Sequence, residues 1–330
     1  MKRFLLIAFL INTIILNAQV AHKRVVKLMG SRFDITIVAK DIPTAEAYID
    51  TAVAEITRIE NLISEWMPET QVSEINRNAG IRPVVVDQEL FDLTQRAIGF
   101  SKLTDGAFDI SFAAADKIWK YDGSMTILPS PEEVKESVKK IGYKNIILDK
   151  EHRTIFLKLP GMKIGFGSIG KGYAADKTKA FMMEKGVVAG IINASGDMNT
   201  WGKQPDGKEW TIGITNPKNK ARVFAVFPLT DGAVVTSGSY EKYIEIDKKR
   251  YSHIIDPRTG YPASGLSSVT VFATSAEMAN GISTSVMVLG QEVGMNLINQ
   301  IPQISAVIVT DSGKIFYSKN IDHKKLKKTN

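Results

Sequence analysis

The chain reads as an α+β protein, with mixed, largely antiparallel sheets and packed helices forming a two-lobed single domain. Three observations carry that expectation. Strand-like runs come in neighbouring pairs joined by short turns, helical runs fall between them without regular strand–helix alternation, and no internal period marks a repeat array. With 330 residues, 44% of them hydrophobic, the chain is long enough to bury a large core.

From the start, residues 1–18 read as a secretory signal peptide. Lys2 and Arg3 form a basic opening, Phe4 to Leu16 is mostly apolar yet too short to span a bilayer, and Ala18 offers a small residue for cleavage before Gln19. The domain itself is expected over 19–322, exported to the periplasm or cell envelope. Val25, Val26 and Leu28, then Phe33, Ile35 and Ile37, predict two strands bent at Met29-Gly30-Ser31. A helix follows from about Pro43 to Ile63, with Ala45, Ile49, Val53, Ile56 and Ile59 at helical spacing and Pro43 in its first turn. Trp66 to Arg82 shows no period and reads as a structured loop. Asp87 then serves as N-cap of a helix carrying Leu90, Leu93, Ala97 and Phe100.

Further on, Lys171 to Lys185 reads as helix, and Val187 to Ile192 and the runs at 210–214, 222–227 and 266–273 read as strands. Tyr243 to Ile246 and Arg250 to Ile255 flank Asp247-Lys248-Lys249 as a hairpin. Thr274 and Glu277 fit a capping box for a helix running to Gly290. Ile304 to Val309 and Lys314 to Tyr317 close the domain around a turn at Asp311 to Gly313.

Composition narrows the chemistry. Cysteine is absent, which removes disulfides, thiolate metal sites and lipid attachment through a cysteine, so the protein is not a lipoprotein and any metal must use oxygen or the four histidines. The formal net charge of +7 is a mild excess, part of it in the basic tail 323–330, which reads as a disordered, solvated end. No nucleic-acid partner is expected.

Three motifs carry chemistry. Residues 165 to 170, Gly-Phe-Gly-Ser-Ile-Gly, satisfy the dinucleotide pattern G-x-G-x-x-G, and with Lys171 they almost satisfy the P-loop. A P-loop needs Ser or Thr where Gly172 stands, and a dinucleotide loop needs a solid strand where Pro160 and Gly161 break the approach. The shared physics survives: glycines allow close backbone approach and a helix N-terminus favours anions, with Lys171 as a point charge. The alternative is a tight strand-to-helix turn without a ligand. Alternation puts Tyr251, His253 and Ile255 on one strand face, ahead of a turn at Asp256 to Gly260; His253 is either a rigidly held general base or a structural residue. On the helix after Thr274, Asn280, Ser283 and Thr284 gather at i, i+3 and i+4, as an oxygen cluster suited to Mg²⁺ or as a polar surface stripe.

These motifs occur with others in a fixed order: Leu28-Met-Gly-Ser31, Ser73-Glu74 with Asn76, Asp105-Gly-Ala-Phe-Asp109, Ser195-Gly-Asp197, Thr236-Ser-Gly238, His253 to Gly260 and Ser268-Val-Thr-Val271. Together they resemble the ApbE family of FAD:protein FMN transferases from about Met29 to Lys319. The resemblance implies a T-fold-like α+β domain with a cleft for FAD, Mg²⁺ dependence and residence outside the cytoplasm. It implies that Met29 and Trp66 lie against the isoalloxazine or adenine rings, that Ala107, Phe108 and Asp109 shape the nucleotide pocket, that Lys171 serves the phosphates and that Ile255 gives a backbone contact. Mg²⁺ would take the Ser168 carbonyl and the side chains of Asn280, Ser283 and Thr284.

The implied reaction moves FMN from FAD to a Ser or Thr hydroxyl of an acceptor flavoprotein, a membrane redox complex subunit among the candidates, and releases AMP, with His253 accepting the hydroxyl proton. An FAD pyrophosphatase or a non-catalytic FAD carrier is the alternative. Family acceptors carry a motif of the form Asp-Gly-x-Ser/Thr-Ser/Gly-Ala-Thr, which this chain lacks, so self-flavinylation is not expected. Three positions depart from the family pattern: Asn280 and Gly165 each stand where Asp is usual, and Trp66 stands for Tyr. With a neutral Asn280, metal affinity is expected to fall.

Overall fold

The turn at Met29-Gly30 sets the first ladder. Both residues have positive φ, 49° and 66°, which is the twist that suits a two-residue hairpin, and they join β1 (Val20–Leu28) to β2 (Ser31–Ala39). A computed structural model describes residues 19–216, 219–322 and 327–328; the signal peptide reading falls outside these residues. Helix α1 (Ile42–Ile63) has Asp41 as its N-cap and Pro43 in its first turn. The stretch read as a loop after Trp66 instead holds α2 (Gln71–Arg77), capped by Thr70, whose hydroxyl accepts from the Ser73 amide. Seven residues are too few to display a period, and burial of Val72 and Ile75 supplies the stability.

Next come β3 (Val84–Val85), α3 (Gln88–Leu103), a 3₁₀ turn (Ile110–Ala114), α4 (Pro131–Ser137), β4 (Ile146–Asp149), β5 (Thr154–Leu157) and α5 (Gly170–Glu184). Asp87 does begin α3, but its carboxylate accepts from Gln71 Nε2 instead of capping the helix. The remainder is β6 (Gly190–Ala194), β7 (Asp197–Trp201), β8 (Trp210–Asn216), β9 (Asn219–Leu229), β10 (Gly232–Gly238), β11 (Tyr243–Ile246), β12 (Lys249–Ser252), β13 (Leu266–Ala273), α6 (Ala276–Asn299), β14 (Ser305–Thr310), β15 (Ile315–Tyr317) and β16 (Lys327–Lys328). Of the tail expected to be disordered, Lys327–Lys328 pairs with Val226 and Ala225 on the edge of β9; the other tail residues lie outside the description.

Two corrections concern α6. Ser275, not Thr274, is its N-cap, accepting from the Met278 amide, and Glu277 pairs with Arg96 at 2.8 Å instead of closing a capping box. The helix is interrupted at Gly290, at φ 80° and ψ 178°, where its end is predicted, and then resumes to Asn299.

The fold class holds. One antiparallel sheet of eight strands runs β1-β2-β6-β7-β10-β13-β14-β15. One face packs on α1, α5 and α6 through residues such as Ile35, Ile49, Val235, Val271 and Ile282. The β8–β9 hairpin covers the other through Trp210, Ile212, Ala225 and Phe227. A second core, around Ile59, Ile63, Leu90, Phe91, Phe108 and Ile155, gathers α2, α3 and the small β3-β5-β4 sheet. Helices α1 and α5 contribute to both cores, which makes one domain of two lobes.

Close helix contact fixes one glycine. A Cβ on Gly172 would come within 2.6 Å of the Ala276 carbonyl carbon, where α5 meets the start of α6. Backbone blocks that position, so Gly172→Ala is expected to cost about 1–3 kcal/mol, read as a lower urea midpoint with unchanged slope.

Candidate active site

The glycine loop ends in α5, whose N-terminus is capped by no side chain; Ile169 precedes it and Lys171 is its second residue. Gly170 packs closely on α1, since a Cβ there would lie 2.7 Å from the Ile63 Cδ1 methyl, which would have to shift. The loop therefore presents Gly167, Ser168 and the head of α5 to a cleft of about 660 Å³, within the roughly 300–1,000 Å³ usual for ligand sites. The opposite wall comes from the β6–β7 turn, where Ser195 and Gly196 both have positive φ, and from Thr236, Ser237 and Gly238 on β10. Lys171 Nζ stands 3.5 Å from Asp197 Oδ2, an ion-pair distance at the outer limit for a hydrogen bond. Burial pushes the Asp197 carboxyl up to about 6, with Lys171 opposing.

His253 follows directly on the last residue of β12, and its ring reaches the same cleft. Its amide and its Nδ1 both face the Lys242 carbonyl, at 3.0 and 2.9 Å. A carbonyl only accepts, so Nδ1 carries the proton and Nε2 keeps its lone pair. Burial lowers the imidazole pKa below its ordinary value, with the Lys242 carbonyl bond partly opposing, so the ring is neutral at pH 7. Tyr121 meets the ring edge-on at 6.5 Å. Beyond it, Asp256 accepts from Arg258 N, Nε and Nη2 and so locks the turn that positions Ile255 on the cleft wall.

On α6, Asn280 and Thr284 line the cleft, one turn apart. Ser283 does not. At i+3 it is rotated toward β10, fully buried, donating to the Asn280 carbonyl at 3.1 Å and meeting the Ser237 hydroxyl at 2.9 Å. Asn280 is 7% exposed and its Oδ1 has no hydrogen-bond partner, a buried amide oxygen of the kind a hard cation would satisfy. At the neighbouring Gly281 a Cβ would crowd the Phe100 ring at 3.1 Å, and Phe100 in turn packs edge-on with Phe108 at 5.7 Å. Phe108, Ala107 and Asp109 line the cleft. Asp109 accepts from Ser111 N, Ser111 Oγ and Tyr143 N, so both of its oxygens are engaged in holding that wall.

Met29 and Trp66 stand apart from the main cleft, in an adjoining cavity of about 440 Å³ that shares Gly167 and Lys171 with it. Trp66 is 73% exposed, with Lys117 Nζ 4.5 Å above its ring, so an aromatic face is open to a flat partner.

Sequence reasoning missed two acids here. Glu65 has a buried, unpartnered Oε2 that lies in the space beside Gly165 where a Cβ would stand; burial raises its carboxyl, with Lys117 and Lys163 opposing. Asp176, on α5, caps the distant α6. Its oxygens accept from Ser275 Oγ at 2.6 Å, Ala276 N at 2.7 Å and Glu277 N at 2.9 Å, and from Asn199 Nδ2 at 2.5 Å. No local pattern signals either role.

An uncapped helix end, a lysine, buried hard oxygens and a neutral imidazole line one cleft, a set of groups suited to phosphoryl chemistry. The ApbE family model matches residues 29–308, and the chain belongs to that family. A FAD:protein FMN transferase of Klebsiella pneumoniae is 33% identical over 293 residues, covering 88% of this chain and 90% of the relative. One from Treponema pallidum is 28% identical, covering 91% and 87%. Among solved structures, the ApbE protein of Thermotoga maritima superposes with a TM-score of 0.82 at 31% identity, covering 91% of this chain and 97% of that one. The Pseudomonas stutzeri flavinyl transferase ApbE gives 0.80 at 27%, covering 92% and 96%.

Proposed function

We propose that this protein is an exported, Mg²⁺-dependent FAD:protein FMN transferase that esterifies a Ser or Thr hydroxyl of an acceptor flavoprotein and releases AMP. One observation carries the reading: His253, neutral with its Nε2 lone pair available, lines the same cleft as the uncapped head of α5, Lys171 and the orphaned Asn280 oxygen. The cleft and the adjoining cavity with Trp66 supply room for a nucleotide and a flat ring side by side. Ser168, Asn280 and Thr284 fit a hard cation in donor type, and Mg²⁺ bound there would neutralise pyrophosphate charge.

This chain's residues do the rest. The amides at the head of α5 and Lys171 orient the phosphates. His253 Nε2 takes the proton of the acceptor hydroxyl as its oxygen bonds to the FMN phosphorus and the bond to the AMP oxygen breaks. On this reading export places the reaction in the cell envelope, and an acceptor there is the one the protein would meet.

Incubation with FAD, Mg²⁺ and an acceptor domain bearing the Asp-Gly-x-Ser/Thr-Ser/Gly-Ala-Thr motif tests this. A fluorescent acceptor band in a denaturing gel, with matching AMP and dependence on the motif hydroxyl, is expected. AMP without a labelled acceptor would make the protein an FAD pyrophosphatase. Bound FAD with neither product would make it a carrier.

A further inference from the structure

Asn280, Ser283 and Thr284 bring no charge, and among the described residues no three of His, Cys, Asp and Glu gather as a metal centre. Hard-cation sites usually include at least one carboxylate. The sheet provides one. Asp197 is 3% exposed, lines the cleft with Asn280, Thr284 and Ser168, and its Oδ2 accepts no hydrogen bond.

Ladder register puts Asp197 level with Asn280, by two separate routes. Along β7, Asn199 donates to Asp176, and Asp176 accepts from the Ala276 and Glu277 amides, so Asn199 marks the start of α6. Asp197 lies two residues back on the same strand face, about 6.7 Å away. A helix covers that length in roughly four residues, which from Ala276 reaches Asn280.

The second route runs through β10. Asp197 pairs with Val235, and two residues beyond Val235 the Ser237 hydroxyl meets Ser283 Oγ at 2.9 Å and lies 3.5 Å from Thr284 Oγ1. Stepping back along α6 by about the same four residues from Ser283 and Thr284 arrives again at Ala279 to Asn280. Both anchors also give α6 the same direction, antiparallel to β7. Two buried oxygens without hydrogen bonds, one on the sheet and one on the helix, thus stand at one level of one cleft.

We propose that Asp197 is the charged ligand of a divalent-cation site shared with Asn280 and Thr284, the strand supplying the carboxylate that the helix lacks. The proposal deepens the transferase reading and rests on it for the cation's use, but not for its binding. Lys171, now the partner of Asp197, would yield to the cation and be left to the phosphates.

The test is Mn²⁺ binding to the full chain without nucleotide, followed by loss of the free-ion EPR signal. Wild type is expected to saturate, Asp197→Asn to bind at least about 10-fold more weakly, and Asp197→Asn with Asn280→Asp to regain most of the affinity, because the carboxylate has only moved from strand to helix. Lys171→Met should bind as tightly as wild type or tighter, which separates a cation ligand from a residue that only holds Lys171. Should Asp197→Asn fail to fold, Asn280→Ala must itself weaken Mn²⁺ binding.

No saturable binding by wild type overturns the proposal. So does wild-type affinity in Asp197→Asn or Asn280→Ala, or a double variant as weak as the single. Asp197-dependent Mn²⁺ binding in a chain that never labels an acceptor would leave this inference standing and end the transferase reading; transfer with Mn²⁺ binding indifferent to Asp197 would end this inference alone.

Discussion

Replacing His253 by Ala is expected to lower transfer by about 10²- to 10⁴-fold, the usual contribution of a positioned general base, while FAD affinity stays near that of wild type. The expectation comes from geometry before titration. Two bonds to the Lys242 carbonyl, from the amide and from Nδ1, fix the ring and its tautomer and leave Nε2 toward the cleft. Burial disfavours the imidazolium and lowers the pKa from its ordinary 6.5. The sign follows. The neutral form is the active one, so activity is fully present at pH 7 and above and falls about tenfold per pH unit below a pKa that lies under 6.5. A pH profile of kcat/KM in wild type and His253→Ala at saturating Mg²⁺, which holds the Asp197 carboxylate ionised, checks it: the acid limb should vanish with the imidazole. A limb that persists in the variant, or a loss smaller than tenfold, would take the base role away from His253.

Asp176→Ala is expected to destabilise the protein by roughly 3 kcal/mol, since a single carboxylate accepts from four donors and hydrogen bonds to charged groups contribute about 1.5–3 kcal/mol each before water replaces them. The donors belong to the Ser275 hydroxyl, the Ala276 and Glu277 amides and Asn199. They tie α5, β7 and the head of α6 together, and α6 carries Asn280 and Thr284 to the cleft. Urea unfolding should show a lower midpoint with an unchanged slope. Asp176→Asn, which keeps one acceptor oxygen, should lose less. A loss below about 1 kcal/mol in the alanine variant would mean that apolar packing of α6 through Ala279, Ile282 and Val286 sets its position without the cap.

The amino-acid sequence determined whatever depends on near neighbours. Alternation and turn chemistry around Met29-Gly30 and Asp247-Lys248 made hairpins readable, because both pairs take the positive φ that such turns require. Helical spacing located α1, α3, α5 and α6, and the motif order along the chain was enough to find the family. The α2 segment escaped because seven residues show no period, and the β4–β5 pair because four-residue strands carry too little alternation to separate from loop.

The tertiary structure alone decided which of the site residues meet. Ser283 shares a helical cluster with Asn280 and Thr284, yet its rotation about the α6 axis turns it into the sheet. Asp197 and Asn280 are far apart in the chain and are brought level by the pairing of β7 with β10. Asp176 caps a helix about a hundred residues away, and Glu65 occupies the space left by Gly165. The physical reason is the same in each case: periodicity and caps are interactions among neighbours and are written locally, whereas convergence of side chains depends on strand register and on how helices are laid across the sheet.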